Sequence, residues 1–205
     1  MINMTIRTLI DEFLQRKSVQ TAIAPATMAD QCTLKAGVVP FVRSPKGSVE
    51  YLVMKPRPKH DETTFQICKG TRQYQDSPHH FTDIKMGEDP KGPKEPLAVT
   101  ALREGAEELG LKPDDIKHMI DLGPYEFPSA TTVGKMNRMH LFAVEIKAHD
   151  KAHILEKEVE KTTEARSWMT LEQFKEHGLA SHYDILSNID WGLSLLKAKE
   201  DHAAH

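Results

Sequence analysis

Three glutamates crowd one short stretch of the chain, Arg103-Glu104-Gly105-Ala106-Glu107-Glu108-Leu109-Gly110-Leu111. On a helix turning roughly 100° per residue, Glu104, Glu107 and Glu108 share one arc about 100° wide, with Arg103 beside it. Ala98, Ala101, Leu102, Gly105, Ala106 and Leu109 fall on a separate, core-facing stripe. Carboxylates packed this closely repel one another, and in the last helical turns they also face the negative end of the helix dipole. A divalent cation among their oxygens removes both penalties. Hard oxygen donors suit Mg²⁺ or Mn²⁺ rather than zinc. A cation in that position neutralises phosphate charge and assists attack by water. Without one, the same residues would form a plain solvated acidic face.

The surroundings favour the chemical reading. Glu95 stands eight residues before Arg103, and Gly110 and aliphatic Leu111 follow the last acids. In this register the stretch is similar to the Nudix box, Gly-x5-Glu-x7-Arg-Glu-U-x-Glu-Glu-x-Gly-U, where U is a bulky aliphatic. The resemblance is strong over about residues 95–111 and weaker from about 37 to 170. It implies a Nudix-like α/β/α sandwich with a mixed β-sheet between helices. It also implies a pyrophosphohydrolase acting on a nucleoside diphosphate linked to another group, such as a dinucleoside polyphosphate, with Mg²⁺ or Mn²⁺ as cofactor. Carried across by position, Glu107 and Glu108 are the expected principal metal ligands, and Glu104 a further ligand or the base that activates water. Arg103 is expected to orient a glutamate by a salt bridge, and Glu95 to support the helix start or a second metal.

The sequence departs from the box in two places. Position 89 is Asp where the box glycine belongs. Phe65-Gln-Ile-Cys-Lys-Gly70 looks like the strand and Lys-Gly that lead into a box, so Gly70 is the expected glycine, with a backbone carbonyl near it as a metal ligand. The segment from Gly70 to Glu95 then holds 24 residues instead of five, an insertion of 19. Gly87 is the competing glycine, without a strand before it. Gly105 takes the aliphatic position, and a helix-interior glycine costs about 1 kcal/mol relative to alanine. Close backbone packing is the expected reason.

Further candidates are weaker. Glu164, four residues before Trp168, resembles an acid that many family members use as ligand or base, whereas Glu156, Glu158 and Glu160 read as surface charge. Lys69, Arg57 and Arg72 are candidates to contact substrate phosphates, because residues 55–94 carry eight Lys or Arg against six Asp or Glu. His79, His80 and Asp83 lack further ligands at metal-site spacing. Tyr125, Phe127, His140 and Phe142 are candidates for a base-stacking pocket, although strand aromatics are more often core.

These groups need a scaffold, and the periodicity supplies one. Residues 5–17 place Ile6, Leu9, Ile10, Phe13 and Leu14 at helical spacing, an amphipathic docking element. Residues 18–35 read as a connection. Gly37–Arg43 and Glu50–Lys55 flank Ser-Pro-Lys-Gly as a hairpin, with Pro40 suggesting an edge strand or a bulge. Residues 65–69 read as a short strand, and 71–94 as a long loop, of the kind that is usually functional or disordered. Pro96 suits the first helical position, and Gly110 a C-terminal stop. Strands are expected over 118–127, 138–147 and 166–170, an exposed charged segment over 151–163, and an amphipathic helix over 184–199. The whole reads as a single domain over 1–205: N-terminal helix and connection to 35, core 36–170, and a C-terminal helical segment 171–205.

With 205 residues, 39% hydrophobic and 28% charged, the chain has the composition of a globular protein with an ordinary core. A net charge of −3 argues against duplex nucleic acid as a partner, but not against a small phosphorylated nucleotide-type substrate. Two distant cysteines, Cys32 and Cys68, argue for a reducing compartment. The first residues lack a signal-peptide plan, and no apolar run approaches a membrane span. A cytoplasmic location is therefore expected. The N-terminal helix leaves a homodimer open.

Overall fold

The computed structural model describes residues 34–44, 48–57, 64–78, 80–85, 88–128, 136–159 and 161–203. The expected N-terminal helix, Cys32, His79 and Gly87 lie outside them.

Six strands form one mixed sheet: β1 (Lys35–Arg43), β2 (Val49–Pro56), β3 (Cys68–Thr71), β6 (Ile116–Pro128), β7 (Met136–Ile146) and β8 (Thr163–Met169). Their order is β6-β7-β1-β2-β8, with β3 also on β1. β1 runs parallel to β7 and antiparallel to β2 and β3. Each strand sends alternate side chains to opposite faces. Val38, Val42, Leu52, Met54, Phe142 and Val144 pack on one face, beneath helix α1 (Leu97–Glu104). Val39, Phe41, Tyr51, Val53, Leu141 and Ala143 pack on the other, against α3 (Leu171–His177) and α4 (Ala180–Ala203). Layers of helix, mixed sheet and helix match the expected α/β/α architecture.

The expected edge position of Pro40 is corrected, because β1 lies inside the sheet. β3 pairs with β1 only as far as Val38, and β2 begins pairing at Phe41. Pro40 therefore stands in the gap between two partners, where a missing N–H costs the ladder least.

The expected loop over 71–94 is also corrected. It contains a two-stranded hairpin, β4 (Gln73–Ser77) and β5 (His80–Asp83), with Ile84 buried at its base. The charged segment 151–163 contains helix α2 (Lys151–Glu156), whose Ile154 is fully buried. The strand before Gly70 begins later than expected, with Phe65 and Gln66 making only isolated bridges before β3. No helix among the described residues is long and apolar enough to cross a membrane.

Candidate active site

Helix α1 starts after Pro96, which caps it rather than occupying its first turn, and gives way at Gly105–Leu109 to a π-helical turn. A 100°-per-residue wheel therefore fails beyond Glu104, and the wider turn resets the directions of Glu107 and Glu108. Such turns recur at functional sites. Gly110 ends the element at φ 75°, as its C-terminal stop role requires. A β-carbon on Gly105 would sit 3.0 Å from a Leu111 methyl and 3.1 Å from a Val38 methyl, the close packing expected there.

Arg103 organises the polar side of this helix. Its guanidinium is almost wholly buried, as is Glu95. Nε donates to Glu95 Oε1 at 3.2 Å, while one terminal nitrogen donates to Glu104 Oε1 at 2.6 Å and Glu107 Oε2 at 3.1 Å. The other terminal nitrogen donates to the Thr71 carbonyl at 2.7 Å. Glu95 Oε2 also accepts from Thr100 Oγ1 at 2.9 Å. Burial works against the arginine's charge, but Glu95, Glu104 and Glu107 outweigh it and hold the pKa above the ordinary value. The expected salt bridge is therefore present in triplicate, and Glu95 buttresses the helix start. Thr71 and Thr100 carried no signal in the sequence, because their roles come from backbone position and burial.

The Glu104 carboxyl is strongly perturbed. Burial raises its pKa, Glu107 and Glu108 add to the rise against the pull of Arg103, and the result is about 7. Beneath it lies Gly70 of β3. A β-carbon there would fall 1.7 Å from the Glu104 carboxyl carbon and 1.8 Å from one of its oxygens, so a side chain at this position would displace the Glu104 carboxyl. This contact supports Gly70, across the insertion, as the box glycine. Cys68, two residues earlier and so on the same face of β3, is fully buried beside Glu108 and Glu104. Burial pushes its thiol pKa up, and the two acids reinforce the rise. The period-two spacing of Cys68 and Gly70 was the available signal for this contact.

The donor set, three glutamate carboxylates and a glycine backbone, fits a hard divalent cation rather than a thiophilic one. Among the described residues no three His, Cys, Asp or Glu side chains are already gathered as a metal site. Arg103 draws oxygens of Glu104 and Glu107, while Glu108 interacts with Cys68.

The remaining candidates separate. Glu164 is the second residue of β8 and pairs with Lys55 at 2.8 Å. Its neighbour Thr163 reaches the glutamate-bearing helix, donating to the Glu108 carbonyl at 3.2 Å, as does Arg166, donating to the Leu109 carbonyl at 2.8 Å. Lys69 donates to Gln66 at 2.8 Å and alternates away from the Cys68–Gly70 face, toward His182. Arg57 is exposed at the end of β2. The Nε of Arg72 donates to the Glu95 carbonyl, which makes Arg72 a bracket at the base of the hairpin. His80 bonds Asp76, and Asp83 accepts from Gln73. Phe142 belongs to the α1 face, while Tyr125 packs on the opposite one; His140 bonds Asp121 at 2.6 Å and stacks on Phe142. The structure therefore does not form one pocket from Tyr125, His140 and Phe142, and the side chain of Phe127 lies outside the described residues.

The model of the NUDIX domain matches residues 33–188. The chain belongs to the Nudix family. Solved structures agree at the level of fold. A Caenorhabditis elegans Ap4A hydrolase in a binary complex is 15% identical, with 78% of this chain and 96% of that one covered at a TM-score of 0.51. The NUDIX domain of Shewanella oneidensis NrtR, complexed with ADP ribose, is 13% identical, with 89% and 97% covered at 0.52. A Nudix hydrolase from Nitrosomonas europaea is also 13% identical, with 78% and 90% covered at 0.50. Comparison with curated proteins gives no match.

Proposed function

We propose that this Nudix protein hydrolyses a phosphoanhydride bond in a nucleoside diphosphate linked to another moiety. The observation that carries this reading is Glu104, partly buried over Gly70, joined through Arg103 to Glu107 and, with no metal bound, raised in pKa to about 7. A carboxyl poised there accepts a proton from attacking water at neutral pH, where general-base action is most effective. Glu107 and Glu108, with Glu104 and the Gly70 backbone, would hold Mg²⁺ or Mn²⁺, which when bound supplies charge neutralisation to the phosphates. Arg103 orients Glu104 and Glu107, and Glu95 fixes Arg103. Glu164, paired with Lys55, is a secondary candidate as base or ligand. Lys69, Arg57 and Arg72 have weaker support as phosphate contacts, because Lys69 and Arg72 are engaged elsewhere.

Ap4A and ADP ribose are the first substrates to try, since they are named for two proteins of the same fold, followed by nucleotide sugars and inositol pyrophosphates. With Mg²⁺ or Mn²⁺, wild type is expected to release product from at least one, and Glu104→Gln to lose about 10²- to 10⁴-fold in kcat with an unchanged melting temperature. Equal turnover by the two proteins would remove Glu104 as the base. A nucleotide sensor is the second reading, favoured by the engagement of Glu104 and Glu107 with Arg103. It predicts nucleotide binding by calorimetry without product from any substrate.

A further inference from the structure

Helices α3 and α4 cover the second face of the sheet only in part. Between β6–β7 and α4 runs a groove of ≈ 410 Å³, walled by Ile120, Leu122, Tyr125, Leu141, Ile189 and Gly192. On the same helix, Leu195 and Trp191 are 46% and 68% exposed. On α4, Asn188, Gly192 and Leu195 follow one another at i, i+4 and i+7, so the groove wall and the exposed leucine share one face.

Gly192 is the telling residue. Glycine is unfavourable inside a helix, yet a β-carbon at this position meets no described atom within 4 Å. Nothing around it in the described fold demands a missing side chain. An element seated closely against the α4 backbone would.

We propose that the occupant is the chain's own Ile6–Leu14, docked through Ile6, Leu9, Ile10, Phe13 and Leu14. These residues form one stripe at helical spacing. Ile6–Leu14 spans nine residues, as does the α4 wall from Ile185 to Leu193, so the two match in length as helices. The chain also enters the fold at the right place. Ala36 of β1 pairs with His140, which pairs with Pro124 of β6, so Leu34 lies level with Glu126, next to Tyr125 at the end of the groove. The gap between them is two strand spacings, about 10 Å. Residues 15–33 reach up to about 60 Å when extended, so the tether imposes no strain. A tethered segment also arrives at high effective concentration, which favours it over a second copy of the chain. This reading is independent of the proposed hydrolase activity.

Disulfide trapping in the full chain tests the docking. In a Cys32→Ser background, Gly192→Cys is combined in turn with Ile6→Cys, Leu9→Cys or Phe13→Cys and oxidised. An intramolecular disulfide in at least one pair, with a yield independent of protein concentration, is the expected result. Dimers whose yield rises with concentration would assign the groove to a second copy and overturn the proposal, as would no disulfide in any pair. Hydrogen exchange gives a second readout. The full-length Leu9→Asp/Phe13→Asp chain should exchange about tenfold faster at 120–125 and 185–193, with β2 and α1 unchanged. Unchanged exchange in the groove would equally overturn the assignment.

Discussion

The two faces of the sheet share an apolar packing but differ in the polar contacts set into it. Under α1, the buried Arg103 is shared among Glu95, Glu104, Glu107 and the Thr71 carbonyl. Under α3 and α4 the contacts are mainly apolar, with Phe174, Ile185 and Leu186 buried, and the polar contacts include His182 and the Tyr51 hydroxyl donating to Asp190. Burying charge costs several kcal/mol per ion, and even good pairing only roughly offsets that cost. Burying a phenylalanine or isoleucine stabilises by about 1.5–3 kcal/mol each. Both faces therefore draw stability from an apolar core, and the α1 face adds a buried ionic network that places carboxylates.

Breaking each face in turn tests that division. Arg103→Met leaves Glu95 buried without its cation and should destabilise by about 3–5 kcal/mol in urea unfolding. Adding Glu95→Leu should restore much of that stability without restoring any hydrolase activity, because Glu104 and Glu107 remain unoriented. If activity returned with stability, the network would be structural only. Phe174→Ala should also cost about 3–5 kcal/mol, but its loss is a cavity that no single partner change repairs. Its kcat, measured well below the melting temperature, should stay near wild type.

A smaller effect comes from His182. Its Nδ1 accepts from the Ile67 N–H at 3.0 Å, and burial, with Lys69 nearby, lowers its pKa to about 3. The unfolded ring titrates near 6.5, so between these values the unfolded chain binds more protons than the folded one. This contribution is complete above pH 6.5 and falls as the pH drops toward 3. Between pH 7 and pH 5 it should remove about 2 kcal/mol. His182→Asn, which keeps an acceptor, should show a correspondingly flatter decline by urea unfolding over the same interval. The smallest change expected is Gly105→Ala. The gain of about 1 kcal/mol in helix propensity is met by the 3.0 and 3.1 Å contacts to Leu111 and Val38, leaving a net change within about 1 kcal/mol.

The acidic rack was legible because its residues are local in sequence and their spacing survives folding. So was Gly105, whose closeness to β1 follows from its place in the core stripe. Other features depended on tertiary facts. Pro40 reads as an edge residue until β3 and β2 are seen to part around it. The strands of the hairpin, Gln-Tyr-Gln-Asp-Ser and His-Phe-Thr-Asp, lack a buried face, so no hydrophobic alternation marked them. Ile154 is the one buried residue of its short helix, and its apolar neighbour Leu155 is exposed. The π turn moved Glu107 and Glu108 off the wheel that had grouped them. Cys68 was visible only as a cysteine, since its partner acids lie some 40 residues along the chain.

The hairpin carries one more consequence, seen in how it is tied. Gln73 and Glu95 meet through Glu95 N–H to the Gln73 carbonyl at 2.7 Å, Gln75 N–H donates to the Pro93 carbonyl, and Ile84 N–H returns to the Arg72 carbonyl. Departure and return are thus stitched together at the doorstep of the glutamate-bearing helix. Everything between is a closed cassette, and doubling the length of such a loop adds only about 0.6 kcal/mol of closure cost. Evolution, or a protein engineer, can lengthen, trim or exchange it while Gly70 and Glu104 keep their contact.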